Sequence, residues 1–209
     1  MNKRNYAKEL NRIIEKNGSE KPTVLLHCCC GPCATSVLEY LSQYFKVTVF
    51  WYNPNIYPEN EFVKRFNTLL EVIEKLDLSD QVDIIYQPWR HDEYSECAAG
   101  FENEKEGGAR CRQCFMLRLF ETAKTAKEKG FNYFCSTLTV SRHKNAELIN
   151  NIGEKLAEEY NVLWLPSDFK KDNGENRSVE LSEKFKIYRQ LYCGCEFSLD
   201  ERNKPKLVQ

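Results

Sequence analysis

No stretch of this 209-residue chain is apolar over enough residues to cross a bilayer, and its N-terminus lacks the basic-then-apolar pattern of a signal peptide. The expectation is a soluble, cytoplasmic protein with no membrane partner. Net charge is missing too. Thirty Lys and Arg stand against 31 Asp and Glu, so bulk electrostatics announces no nucleic-acid partner and only a local basic patch would. Internal repeats, low-complexity tracts and linkers are absent as well, which leaves the length of one large domain able to bury a core without disulfide help. Cysteine, by contrast, is abundant: there are ten. In a reducing cytoplasm a cysteine-rich chain of ordinary globular length reads as metal-binding or redox-active before it reads as a disulfide scaffold.

The hydrophobic pattern alternates between strand-like and helix-like segments. Thr23–His27 is a short apolar run suited to a buried strand, broken at Gly31-Pro32. A helical pattern over 34–44 and a second strand at 47–51 complete a β-α-β unit. Beyond the turn-rich 52–58, Phe62, Phe66, Leu69, Leu70, Ile73 and Leu76 recur at helical spacing over 59–76, followed by a third strand at 82–86. The irregular stretch 87–110 reads as an insertion holding a short helix. A helix at 112–129, a strand at 132–137, a helix at 144–160, a strand at 162–165 and a helix at 178–190 follow. Residues 1–21 read as a polar N-terminal extension and 204–209 as a C-terminal tail. The alternation implies an α/β fold, with a mostly parallel sheet and helices on both faces. Ligands of such sheets bind beyond the carboxyl ends of the strands, and the loops 28–33, 52–58, 87–110 and 138–144 each follow a strand directly.

Four cysteines lie in the first of those loops. Cys28-Cys29-Cys30-Gly31-Pro32-Cys33 sits on a strand-to-helix turn, where backbone N–H groups and the helix dipole favour thiolates. Cys111-Arg112-Gln113-Cys114 has the spacing that puts two sulfurs on one side of a helix start, with arginines at 110 and 112 to favour thiolates further. Two plus two sulfurs from separate loops suit a four-thiolate iron-sulfur cluster and equally a tetrahedral zinc. The surplus of cysteines over four argues against structural zinc. Cys97 and Cys135 stand alone and read as ordinary buried cysteines; Cys28 is ambiguous. Cys193-Gly194-Cys195 suits either a small, easily reduced disulfide that exchanges two electrons or a further pair of ligands.

Other residues are less specific. His27 reads as a core histidine beside the cysteine loop. Asp92 reads as a proton donor, a metal ligand or the N-cap of a helix at 93–99. Ser141–Asn145 opens a helix that binds phosphate or merely meets solvent. Seven Lys or Arg against three Glu over 105–129 suggest a basic stripe for a polyanion.

Taken together, His27-x-Cys29-Cys30-Gly31-Pro32-Cys33, Tyr52-Asn53-Pro54-Asn55-Ile56, Arg110-Cys111-x-x-Cys114-Phe115, Ser141-Arg142-x-Lys144-Asn145 and Tyr192-Cys193-Gly194-Cys195 resemble the epoxyqueuosine reductases of the cobalamin-independent QueH type, in the same order. With the alternation above, the resemblance implies a single Rossmann-like (HUP-like) catalytic domain over 22–203. The implied activity is the last step of queuosine biosynthesis, two-electron reduction of the epoxide of epoxyqueuosine at the tRNA wobble position. The implied partners are the tRNA anticodon loop and an unidentified electron donor. The implied cofactors are a 4Fe-4S cluster on Cys29, Cys30, Cys111 and Cys114 and an additional mononuclear iron. Cys33 is the matching position for that second metal, with Asp92 as a further candidate, and Cys193 with Cys195 is the implied redox-active pair. Asp92 or Tyr52 would supply a proton, and Tyr57 or Trp51 would stack on an extruded base. Cys28 departs from the family pattern. Competing readings are a zinc-dependent RNA-binding protein and an RNA sulfur-transfer enzyme; the first turn lacks the Ser-Gly-Gly-x-Asp-Ser loop expected of ATP use.

Overall fold

Each apolar run is too short for a helix and too continuous for a sheet face exposed to water, so the runs pair side by side under a cover of helices. In the computed structural model, which describes residues 4–204, β1 (Thr23–His27), β2 (Lys46–Trp51), β3 (Asp83–Tyr86), β4 (Tyr133–Ser136) and β5 (Leu163–Trp164) form one all-parallel sheet in the order β3-β2-β1-β4-β5. Val24, Leu25 and Leu26 of the central β1 are wholly buried. Eight helices accompany the sheet among the described residues: α1 (Tyr6–Asn17), α2 (Gly31–Leu41), α3 (Glu59–Lys75), α4 (His91–Ala98), α5 (Ala109–Glu128), α6 (Ala146–Tyr160), α7 (Gly174–Phe185) and α8 (Glu196–Asn203). α2 packs against α3 and α7, and α5 packs against α6 and on β1 and β4. The architecture is the expected Rossmann-like α/β domain. None of the described helices is long and apolar enough to span a membrane.

The strand order places a topological switch point between β1 and β4, because the chain leaves β1 toward β2 and returns to its other side as β4. Crevices at such points are where open α/β sheets bind ligands. Here the cysteine loop after β1 faces a 3-10 turn, Thr137–Val140, after β4, and the Cys29 amide lies 3.4 Å from Thr137 Oγ1.

Several elements differ from the sequence expectation. Residues 6–17 of the supposed polar extension form an amphipathic helix whose Tyr6 and Leu10 are buried, and Tyr40 donates to Asn11 Oδ1 at 2.9 Å. The dense charge of that segment hides a helical stripe of four apolar side chains, Tyr6, Leu10, Ile13 and Ile14. Residues 1–3 of the extension and 205–209 of the tail lie outside the described residues. α2 begins at Gly31 instead of 34, since a proline in the first helical turn starts a helix and does not break it. α7 ends at Phe185 instead of 190, stopped by Lys186 in the left-handed region at φ 54°. Residues 186–195 are thereby freed to run as a strap back to the cysteine loop.

Replacing Leu10 by alanine removes a buried methylene cluster from the α1 contact and is expected to lower stability by about 2–3 kcal/mol. Urea unfolding measures this; an unchanged midpoint would show α1 to be dispensable to the core.

Candidate metal centre

β1 hands its geometry on to the cysteine loop. The Cys28 amide donates to Phe50 O at 3.1 Å and Asn53 Nδ2 donates to Cys28 O at 2.8 Å, so the residue continues the sheet. Its side chain is wholly buried in the apolar core, apart from the close group of Cys29, Cys30 and Cys33, and burial pushes its thiol up. His27 is likewise buried. Its Nε2 meets Tyr52 O at 3.1 Å and its Nδ1 meets Ser136 Oγ at 2.9 Å. A carbonyl can only accept, so the ring is the neutral Nε2–H tautomer with Nδ1 accepting from the serine. Burial holds its pKa down at about 4.

The next three cysteines turn toward each other. The sulfurs of Cys29, Cys30 and Cys33 all lie within 4.8 Å of one another, with 3.9 Å between Cys29 and Cys30. Hydrogen bonds from the Cys30 and Cys33 thiols hold Cys29 well below the usual thiol range against the cost of its burial, with Lys144 and Arg118 adding to the effect. The same sharing pushes Cys30 up to about 12 and Cys33 up as well. This is a trio that ionises once and then resists, unless a cation enters. Gly31 permits the turn, because a Cβ there would sit 2.6 Å from Thr68 Cγ2 and 2.9 Å from Thr68 O on α3.

Cys111 and Cys114 occupy the first turn of α5 but are not members of that close trio. They belong with the other end of the chain. Cys114 is packed with Tyr94, Ala98 and Cys195 in a small buried cluster, and burial pushes its thiol up to about 12, opposed by Arg118 and reinforced by Cys193, Cys195 and Cys111. Cys111 is pushed up chiefly by burial, even though the Gly107 amide donates to its sulfur at 3.2 Å and Arg110 lies near. Arg110 serves mainly to fold the preceding loop: it is buried and donates to the carbonyl oxygen of Glu102 at 2.9 Å.

The Cys193-Gly194-Cys195 segment is held from α3. Arg65, buried and paired with Glu61 at 2.7 Å, donates to Cys193 O at 2.9 Å and Tyr192 O at 3.3 Å. The Tyr57 amide donates to Gly194 O at 2.9 Å. Gly194 has φ 150°, and a Cβ there would meet Asn55 Nδ2 at 3.1 Å and Arg65 Nη1 at 3.2 Å, so the segment needs glycine. All ten cysteines are free thiols.

Two cations complete the site, and sequence reasoning had assigned them elsewhere. Arg118 is 2% exposed and donates through Nε to Cys114 O at 3.1 Å. Burial opposes its charge, but Cys114, Cys29 and Cys193 outweigh that and raise its pKa. Lys144 responds in the same way to Cys193, Cys29 and Cys33. The expected basic stripe is therefore not one: Arg110 and Arg118 are buried, Lys124 pairs with Glu121 at 3.6 Å, and Lys127 and Lys129 lie at the end of α5 remote from its cysteines. The 141–145 segment is not a free phosphate cradle, since Asn145 caps α6 by accepting from the Leu148 amide and Arg142 pairs with Glu175 at 2.6 Å.

Trp51 cannot stack on a base. It is wholly buried against Phe62 and Phe66, because its side chain falls on the face of β2 that α3 covers, whereas Tyr57 is 39% exposed. Asp92 does not cap α4; Arg90 occupies that position and Asp92 is exposed in the first turn. The neighbouring Glu93, which the sequence reading passed over, accepts from Tyr52 Oη at 2.5 Å and so occupies the hydroxyl expected to deliver a proton. Cys135 is buried on β4, and Cys97 is half-buried with its thiol pushed up by burial.

The donor set fits iron or zinc: soft sulfur ligands on three chain segments, with Arg118 and Lys144 to offset thiolate charge. The buried neutral His27 also makes a stability prediction. The unfolded state takes up a proton at this residue near pH 6.5 and the folded state only near about 4. Its contribution is thus present above pH 6.5 and lost as pH falls toward 4, on the order of 3 kcal/mol in all. Urea unfolding across that window should show the loss, and His27→Gln should flatten it; an equal slope in both proteins would refute the assignment.

A family model described as epoxyqueuosine reductase QueH matches residues 24–201. An epoxyqueuosine reductase QueH of Streptococcus pyogenes serotype M1 is 42% identical over 192 residues, covering 91% of this chain and 75% of its own. One from Staphylococcus epidermidis is 41% identical over 93% of this chain and 84% of its own, and one from Thermotoga maritima is 34% identical over 87% and 93%. The convergent cysteine segments and these similarities agree, and the chain belongs to the epoxyqueuosine reductase QueH family.

Proposed function

We propose that this protein reduces the epoxide of epoxyqueuosine in the anticodon loop of tRNA to the alkene of queuosine, with a 4Fe-4S cluster as its electron-transfer cofactor. The observation that carries the reading is that Arg118 and Lys144 respond together to sulfurs of the β1 loop, the α5 start and the 193–195 segment, beyond the carboxyl end of the sheet, in a chain of this family. The reaction consumes two electrons and two protons, breaks both C–O bonds of the epoxide and releases its oxygen as water. Cys29, Cys30, Cys111 and Cys114 would hold the cluster, and the close spacing of Cys33 to Cys29 and Cys30 suits an additional iron, with Asp92 as its further candidate ligand. When bound, the cluster supplies electrons one at a time and Lewis acidity toward oxygen.

The chain's own residues supply the rest. Oxidation of Cys193 and Cys195 to a disulfide releases two electrons and two protons, matching the demand of one turnover, and an external electron donor restores the dithiol. Arg118 and Lys144 offset thiolate charge in a site that water reaches poorly. With Tyr52 committed to Glu93, the exposed Asp92 is the remaining candidate for the proton donor, a role that is the alternative to ligating the iron. Tyr57 and Leu191, which is 69% exposed, flank the Cys193 segment and offer an apolar surface to an extruded base. Such free thiols suit the reducing cytoplasm.

Anaerobically purified protein is expected to be brown, with iron and acid-labile sulfide, and to convert epoxyqueuosine tRNA to a nucleoside lighter by one oxygen atom when given a strong reductant. Cys193→Ser should keep its iron and lose roughly 100-fold or more in turnover. A colourless zinc protein, or no conversion by cluster-replete enzyme, would overturn the reading.

A further inference from the structure

Gln190 lies on the strap between α7 and Cys193, and its carboxamide makes one hydrogen bond: Nε2 donates to the sulfur of Cys30 at 3.0 Å. Its Oε1 is buried and has no donor among the described residues. The side chain is therefore oriented by the sulfur alone. With Nε2 toward the sulfur, the carboxamide is set to donate to a thiolate, which can only accept. The backbone on either side is fixed independently of Gln190, since Arg65 holds the carbonyls of Tyr192 and Cys193 and Ile187 is buried. A side chain that contributes nothing else to the strap is left with one role, toward the sulfur.

We propose that Gln190 is a positioning residue that tunes the cluster, by donating an N–H···S hydrogen bond to the ligand sulfur of Cys30. This rests on the reading of Cys30 as a cluster ligand. An N–H donor withdraws electron density from a thiolate sulfur and stabilises the cluster's extra electron on reduction, which raises its potential. Because the donor sits three residues before Cys193, the same strap that carries the dithiol also sets the potential of the centre to which it passes electrons. A bond to the sulfur also fixes the Cys30 rotamer, and hence the ligand geometry, from the opposite end of the chain.

The test is a redox titration of the anaerobic, cluster-replete enzyme followed by electron paramagnetic resonance, with iron and sulfide counted in each sample. Gln190→Met keeps the length and removes the donor; Gln190→Glu removes the donor and adds a negative charge. The expected result is full iron and sulfide in both variants, with midpoint potentials in the order wild type, then Met, then Glu, from least to most negative. Turnover at a fixed reductant potential should fall in the same order, with KM for tRNA unchanged. A Met variant at the wild-type potential would overturn the inference, as would loss of iron from both variants, which would make Gln190 a merely structural prop. Wild-type protein without iron or sulfide would instead overturn the cluster reading itself.

Discussion

Arg65 leaves α3 with its guanidinium buried and its charge already met by Glu61 at 2.7 Å, so its remaining N–H groups turn to the backbone of the strap. Tyr188 adds a hydroxyl to the same carboxylate at 3.0 Å, and the Tyr192 ring lies 5.0 Å beneath the guanidinium. A desolvated pair of this kind contributes little net stability compared with apolar packing, but removing one partner strands a buried charge at a cost of about 3–5 kcal/mol. Its value here is geometric. Cys193 follows Cys114, the nearest other candidate ligand in sequence, by 79 residues, and Arg65 helps to seat it against the carboxyl end of the sheet.

Around that anchor the site is organised by charge. Three groups of cysteines meet where burial opposes ionisation and each thiolate opposes the next. Arg118 and Lys144 come from different elements, α5 and the loop before α6, yet respond to overlapping sets of sulfurs. Neither is paired with a carboxylate among the described residues. Two fixed positive charges offset only part of the charge that these sulfurs would carry as thiolates; a bound metal would supply the rest, which is how a sulfur-rich pocket favours metal over protons.

Much of this was legible in the sequence. The strands β1, β2 and β4 follow from continuous apolar runs, the all-parallel sheet from their alternation with helices, and the close trio from cysteines packed onto one turn. Cys28, ambiguous in sequence, points into the core because successive residues of an extended chain alternate faces. What was not legible depends on tertiary burial. Arg118 reads as one more charge on a basic helix until α5 is laid on the sheet, and Trp51 reads as a free aromatic until β2 is paired. Glu93 and Gln190 carry no local signature, since each takes its meaning from a partner 41 or 160 residues distant.

The central claim is that these separated segments serve one iron centre. Anomalous scattering at the iron edge, from crystals of anaerobically purified protein, tests it most directly. The account predicts iron bounded by sulfurs of both the β1 loop and the first turn of α5, beneath the strap held by Arg65. Iron confined to Cys29, Cys30 and Cys33, with Cys111 and Cys114 bearing no metal, would contradict it.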